Sequence, residues 1–398
     1  MTKNVAIQKC DEYDFNLVYK ALCEATRLVP PPNVQGKTVL IKPNILSPKK
    51  PENAVCTHPV VVGAAVKLFV ELGASRVIVG ESPATANPTA AAKATGMYKQ
   101  IIENGGEWVE FGGGTQVPCE QGKIVKTLEF ADAFSQADIV VSVAKLKTHQ
   151  LMSYTGAMKN LFGFIVGLKK AQTHYRFPNK ADFASFLTDL NLAAKPQYAI
   201  MDAIVCMEGQ GGPGNGNPVK VGFLAASDNI LALDWTCSSI VGYNPEQILN
   251  LKDAMERKFW LNSPDEICVL GETAESVKPK SFKIVKEEGA AITLQKMLPG
   301  WANRIATLIF VKTPRFNKKK CIKCGRCIEI CPAHILEFVN LEEKESVRKG
   351  SPGVGASSVD PSSKKNAKFV RMQDRKKCLH CFCCHEICPV EAITLRKF

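Results

Sequence analysis

Over roughly the first 240 residues, short apolar runs alternate with longer stretches of helical period. The runs at Lys37–Ile45 (KTVLIKPNI), Ser75–Val79 (SRVIV), Glu107–Phe111, Ala137–Val143 (ADIVVSV), Tyr198–Val205 and Val219–Ala226 predict strands. Most are apolar without interruption, as expected of strands buried on both faces. Between them Val60–Leu72 predicts a helix that stops at Gly73, and further helices are expected near Thr89–Asn104, Thr155–Phe164 and Ala181–Ala194. Another begins at Asp228, with that aspartate as its N-cap. Strands alternating with helices predict an α/β domain built on a doubly wound, largely parallel sheet.

The pattern changes near residue 288. Gly289–Lys312 reads as an amphipathic connector broken at Pro299–Gly300. Two cysteine runs follow, CIKCGRCIEICP at 321–332 and CLHCFCCHEICP at 378–389. Each is C-x2-C-x2-C-x3-C-P, the spacing of a bacterial-type ferredoxin with two 4Fe–4S clusters, in which the last cysteine of each run ligates the other cluster. Three cysteines two residues apart let one loop wrap three corners of a cubane, and the fourth thiolate comes from a distance. The expected sets are therefore Cys321, Cys324, Cys327 with Cys388, and Cys378, Cys381, Cys384 with Cys331. Zinc also uses C-x2-C pairs, but four-ligand zinc gives no reason for the third step or for the crossing Cys-Pro, repeated twice. Cys383 is a spare thiol, read as packing beside a cluster. The expected organisation is an α/β domain over 1–288, a connector over 289–312, and an α+β ferredoxin-like module over 313–398. That module carries a flexible insertion near 342–374, because Ser346–Lys368 is rich in Ser, Gly, Pro and Lys.

Composition narrows the class. No apolar run reaches the 18 or so residues of a membrane span; the longest, near Trp301–Val311, is broken by Asn303 and Arg304. The start, MTKNVAIQKC, lacks a basic-then-apolar signal, so a cytoplasmic protein is expected. The seven cysteines outside the runs (Cys10, Cys23, Cys56, Cys119, Cys206, Cys237 and Cys268) are scattered singly and read as reduced core thiols. The net charge of +13 is uneven: Lys312–Phe398 holds 19 basic against 9 acidic residues, the preceding 311 residues 32 against 29. Each oxidised cluster with four thiolates carries about −2, which offsets part of this excess. The remainder suits an acidic electron carrier, a low-potential donor or acceptor protein. Nucleic acid is not favoured, since no binding motif accompanies the charge.

Ligands of open α/β sheets sit beyond the carboxyl ends of the strands. Those ends carry Lys42, Pro43 and Asn44; Glu81 and Ser82; the KLKTH segment with Lys145, Lys147, Thr148 and His149; and Asp202 and Glu208 before a glycine-rich GQGGPGNGN. Lysines gathered at one edge predict a site for a small anionic molecule, a carboxylate or phosphate. Lys159 and Asn160 are expected at a helix N-terminus, also favourable to an anion. His149, Glu208 and, more weakly, His58 are candidate proton carriers, and the glycine-rich segment reads as a lid. Absence of GxGxxG after the first strand and of GxxxxGK[ST] argues against a nicotinamide site or P-loop.

KPN (42–44), THP (57–59), GES (80–82), KLKTH (145–149), GAMKNLFG (156–163), MEGQGGPG (207–214) and SDNILALD (227–234) together resemble the family called domain of unknown function 362. Its longer members often carry a C-terminal two-cluster ferredoxin module and are labelled iron–sulfur centre proteins. The resemblance implies no particular reaction. A distant similarity of that family to the lactate racemase fold implies an acid-binding α/β site, but nothing here justifies transferring a nickel cofactor. The expected function is an iron–sulfur oxidoreductase whose clusters relay electrons to an anionic ligand at the strand ends, with His149 or Glu208 handling protons. The alternatives are a non-enzymatic electron carrier or adaptor, and a non-redox isomerase or dehydratase with structural or sensory clusters. The sequence assigns no flavin, no further metal and no oligomeric state, a dimer included.

Overall fold

The computed structural model describes residues 2–285, 312–339 and 369–396. The connector over 289–311 and most of the expected insertion lie outside them; the insertion's end forms a strand at Phe369–Met372. The chain divides into two compact units, Met1–Lys170 with Asn179–Glu287, and Ala171–Pro178 with Glu288–Phe398.

The first unit is built on one large sheet. Its strands are β1 (Lys3–Lys9), β2 (Thr38–Pro43), β3 (Arg76–Glu81), β4 (Glu107–Glu110), β7 (Ile139–His149), β8 (Ser153–Thr155), β9 (Tyr198–Glu208), β10 (Asn217–Ser227) and β11 (Ile267–Gly271), with a separate hairpin of β5 (Thr115–Pro118) and β6 (Thr127–Phe130). The order is β11-β1-β10-β9-β7-β2-β3-β4, with β8 folded back on β7. From β9 through β4 all neighbours are parallel; β10 runs antiparallel to both β9 and β1. The chain moves outward from β2 to β3 and β4, then returns to the other side of β2 as β7. That reversal is the topological switch point of an open α/β sheet, where a crevice opens beyond the strand ends.

Helices cover both faces. They are α1 (Phe15–Leu28), α2 (Pro59–Glu71), α3 (Pro88–Ala94), α4 (Met97–Glu103), α5 (Ala157–Asn160), α7 (Lys180–Ala194), α8 (Ile230–Ile240) and α9 (Leu249–Arg257), while α6 (Lys169–Arg176) falls mostly in the second unit. Side chains alternate across a strand. Val39, Ile41, Val77, Val79, Ile139, Val141 and Val143 join the core that includes residues of α1, α2 and α4. Ser142, facing the other way, donates its hydroxyl to Ala157 O of α5.

Local chemistry explains the helix ends and corrects several expectations. Asp14 caps α1 by accepting from Asn16 and Leu17 N–H at 2.9 and 3.0 Å. Both β1 and α1 were unpredicted. The expected helix at Thr89–Asn104 is two helices, because Gly96 at φ +76° turns the chain between them. The cap of α8 is Asn229, which accepts from Ala232 N–H at 2.9 Å, and not Asp228. The helix expected over Thr155–Phe164 is the single turn of α5 followed by a 3-10 turn.

The second unit pairs β12 (Thr313–Phe316) with β15 (Ile393–Arg396) and β13 (Leu336–Val339) with β14 (Phe369–Met372). Two single-turn helices, α10 (Arg326–Glu329) and α11 (Cys383–Glu386), follow the ligand loops. Each half of the repeat thus supplies a strand, a cysteine loop, one turn of helix and a second strand. Cys327, Cys331 and Cys388 pack with Ile335, Leu336 and Val370 in its core.

Candidate functional site

At the carboxyl edge of the large sheet, KLKTH lies within β7, and all eleven residues of that strand are buried. Burying an ammonium requires partners. Lys42, at the end of β2, pairs with Glu81 at the end of β3, the side chains 0% and 4% exposed. Its Nζ also donates to Pro43 O at 2.6 Å and Asn160 Oδ1 at 3.2 Å. Burial depresses the Lys42 pKa, with Glu81 opposing the shift. Asn160 Nδ2 returns a bond to Lys42 O at 2.7 Å, and Asn44 Nδ2 donates to Asn160 Oδ1 at 3.3 Å. Lys147 Nζ then donates to Asn44 Oδ1 at 2.8 Å and Val55 O at 2.6 Å. Glu81, Lys42, Asn160, Asn44 and Lys147 thereby form one hydrogen-bonded chain across the switch point between β2 and β7.

Lys145 belongs to a neighbouring cluster. Its Nζ lies 2.6 Å from Asp202 Oδ2, both side chains sealed from solvent, and donates to Tyr13 Oη at 2.8 Å and Val205 O at 2.9 Å. Tyr13 donates to Asp202 Oδ1 at 2.9 Å, and the His58 backbone N–H donates to Asp202 Oδ2 at 2.9 Å. The Val205 carbonyl is available because β9 bulges here: Lys145 pairs with Asp202 but Lys147 pairs with Met207. The His58 ring stacks on Tyr13 with centroids 3.5 Å apart. Its pKa falls to about 4 through burial, with Lys145 adding to the lowering and Asp202 opposing it.

His149 and Glu208 stand apart from these clusters. His149 Nδ1 accepts from Leu151 and Met152 N–H at 3.1 and 3.3 Å, closing the β7–β8 turn. Glu208 accepts from Lys283 N–H at 2.7 Å. Lys159 is half-buried, its ammonium 5.9 Å from the Phe162 ring centroid. The expected helix N-terminus at Lys159 and Asn160 is instead the end of the four-residue α5. Its leading N–H groups, Ala157 and Met158, are taken by Asp234 at 2.6 and 2.8 Å. Gly156 permits this contact, since a Cβ there would meet Asp234 and Tyr154. The glycine-rich segment expected as a lid is tied down. Thr148 Oγ1 donates to Gly209 O at 2.8 Å, and Lys49 Nζ donates to Gly214 O and Asn215 Oδ1 at 2.7 and 2.8 Å.

Sequence reasoning missed Tyr13 altogether and named Asp202 and Glu81 without their pairing. The signal was an acidic residue in the strand beside each lysine strand, Glu81 at the end of β3 and Asp202 within β9.

In the second unit two cavities each carry four cysteines. Cys321, Cys324, Cys327 and Cys388 line one; Cys331, Cys378, Cys381 and Cys384 line the other. Burial lifts Cys327 to about 12, with Cys324, Cys321 and Cys388 adding to it. Cys378 rises to about 11 through burial, with Cys381 and Cys331 adding. Among the described residues no three His, Cys, Asp or Glu side chains converge as a single metal ion requires. Four soft thiols spread around a cavity fit a cubane better than one ion. Ala392 N–H donates to Cys388 Sγ at 3.2 Å, an amide–sulfur bond of the kind that tunes cluster potential. Cys383 is buried outside both linings.

The family model for the domain of unknown function DUF362 matches residues 39–239, the stretch that holds β2 to α8 and both lysine clusters. The chain belongs to this family. A 4Fe-4S dicluster domain model matches residues 320–392, which makes the second unit of this DUF362 protein an iron–sulfur module of ferredoxin type. The protein is 32% identical over 244 residues to a thylakoid-associated protein of Synechocystis sp., covering 59% of this chain and 75% of that one. Ferredoxin-3 of Nostoc sp. is 31% identical over 87 residues, 21% of this chain and 79% of its own. Ferredoxin-3 of Rhodobacter capsulatus is 28% identical over 81 residues, 20% and 76% respectively. Among solved structures, lactate racemase apoprotein from Thermoanaerobacterium thermosaccharolyticum aligns with TM-score 0.38 and 14% identity, over 60% of this chain and 57% of that chain. Among the described residues of this DUF362 protein, no helix is long and apolar enough to cross a membrane.

Proposed function

We propose that this DUF362 protein is an iron–sulfur oxidoreductase whose α/β unit binds a small anionic molecule at the switch-point edge of its sheet. Cys321, Cys324, Cys327 and Cys388 would hold one 4Fe–4S cluster, and Cys378, Cys381, Cys384 and Cys331 the other. When bound, such clusters supply one-electron transfer at low potential. The observation that carries the reading is the pair of separate cavities, each lined by four cysteines drawn crosswise from both runs. In the α/β unit, an anion at the crevice where ligands of this topology sit would take over hydrogen bonds that Lys147, Asn44 and Asn160 now make within their own chain of contacts. Lys42 and Lys145 orient that edge through Glu81 and Asp202. Tyr13 and His58, half-buried and stacked on each other beside Asp202, would serve as the proton carriers there.

A second reading, a non-enzymatic electron carrier, is favoured by the same ion pairs, because Glu81 and Asp202 neutralise two of the edge lysines internally. The two separate in one experiment. The protein is reduced under anaerobic conditions, freed of excess reductant, and mixed with a panel of carboxylates and phosphates while thiolate-to-iron absorbance is followed. Reoxidation by one class of compound, lost in Lys147→Ala with iron content unchanged, supports the oxidoreductase. Reoxidation by electron-carrier proteins alone would reject it for the carrier.

A further inference from the structure

The two cysteine cavities differ in their rims. Lys318, Lys323 and Arg326 line the first, together with Cys321 and Cys324, and among the described residues no carboxylate does. Lys319 and Lys320 stand exposed beside it, and Ile322 presents 59% of its surface to solvent. Cys321 and Cys324 are half-buried while Cys327 and Cys388 are closed off, so this cavity approaches the surface beneath the basic rim. Among the described residues the second cavity has neither a cation nor a carboxylate in its lining, which is apolar apart from its sulfurs. The basic residues of its own run, Arg375, Lys376 and Lys377, are exposed but do not line it.

Both cavities have partly exposed cysteines, so the basic rim is what sets the first apart. An exposed apolar residue among such cations suits a partner with an acidic rim around its own carrier. Opposite charges steer encounter and fix orientation, and the central apolar contact excludes water. A polyanion such as nucleic acid needs charge alone and would use the exposed run Arg375–Lys377 as readily.

We propose that the face formed by Lys318, Ile322, Lys323 and Arg326 is the electron port of this protein, and that its partner is an acidic one-electron carrier protein. The inference rests on the reading that thiolates of the second unit hold clusters. One electron would pass per encounter, from the reduced carrier to the cluster that Cys321, Cys324, Cys327 and Cys388 would hold. No bond forms or breaks.

The test uses the cluster-loaded full-length protein and, as probe, reduced flavodoxin, an acidic flavoprotein. Stopped-flow absorbance gives the rate of electron transfer, and carbodiimide cross-linking with mass spectrometry gives the contact site. Raising salt from about 0.01 M to about 0.15 M shortens the Debye length from roughly 30 to 8 Å and is expected to slow transfer at least about tenfold. Lys323→Glu with Arg326→Glu is expected to slow it by a similar factor at low salt, with iron content and reduction by dithionite retained. Lys376→Glu with Lys377→Glu makes the same change in charge and is expected to slow it less than about threefold. Cross-links should fall on Lys318, Lys319, Lys320 or Lys323. Equal slowing by the two double variants, salt-independent transfer, or cross-links confined to the second run would overturn the port. So would salt-sensitive binding of anionic vesicles or DNA with no flavodoxin cross-link. A protein that takes up no iron would overturn the cluster reading itself, and the port with it.

Discussion

Replacing Lys145 by Met leaves the Asp202 carboxylate sealed in the protein without its cation. The two charges lie 2.6 Å apart with side chains 1% and 0% exposed. Asp202 would keep bonds from Tyr13 Oη and the His58 N–H, and the methionine would retain most of the packing volume. Stranding one member of a buried pair typically costs about 3–5 kcal/mol. Asp202→Asn should cost toward the lower end, because Lys145 retains the Tyr13 hydroxyl and the Val205 carbonyl. The double variant strands no charge, so its cost should fall short of the sum of the singles by about 1–3 kcal/mol. Urea unfolding followed by tryptophan fluorescence measures this, since Trp108, Trp235 and Trp260 all lie in the first unit. The exposed Arg76–Glu107 pair is the control, and breaking it should barely move the midpoint. A Lys145→Met protein within about 1 kcal/mol of the parent, or strict additivity of the two substitutions, would show that the pair is not the structural element described.

Two further outcomes are expected. Cys388→Ala should lose the same cluster as Cys321→Ala, and Cys331→Ala the same one as Cys381→Ala, each leaving about half the iron; paramagnetic resonance spectra grouped by run instead of by cavity would refute the crossed sets. Asp234, fully enclosed, has its pKa lifted by burial from 3.8 to about 7 against the lowering effect of the Met158 and Ala157 N–H bonds. The native state then binds the proton more tightly than the unfolded chain, so this group's contribution to stability declines as pH rises from about 4 to 7 and is level above. Asp234→Asn should flatten that decline in urea midpoints; parallel profiles for parent and variant would count against the shift.

The alternation of apolar runs was enough to read the parallel half of the sheet, since strands buried on both faces show their character locally. It was not enough for β1, whose pairing with β10 spans more than 200 residues, or for the antiparallel return of β10 along β9. The strand-end lysines read as a site for an anion because lysine is rarely buried without a partner. What keeps Lys145 and Lys42 inside is remote: Asp202 lies 57 residues beyond Lys145, and Glu81 is 39 beyond Lys42. Long-range charge partners leave no periodicity. Tyr13 follows a strand that the pattern did not reveal, so its role in the Asp202 cluster could not be read either. The cysteine runs were legible because ligand spacing is itself a local property.

The crossed lining of the two cysteine cavities also bears on the order of events during synthesis. By the time Cys331 leaves the ribosome, the first cavity has Cys321, Cys324 and Cys327 but lacks its fourth wall. Cys388 is made 57 residues later, after every cysteine of the second cavity. A nascent chain therefore exposes three closely spaced thiols with an open corner for several seconds at ordinary elongation rates. The last cysteine of the module to be made is the one that closes its first cavity, and until then those thiols depend on the cell to keep them reduced and free of the wrong metal.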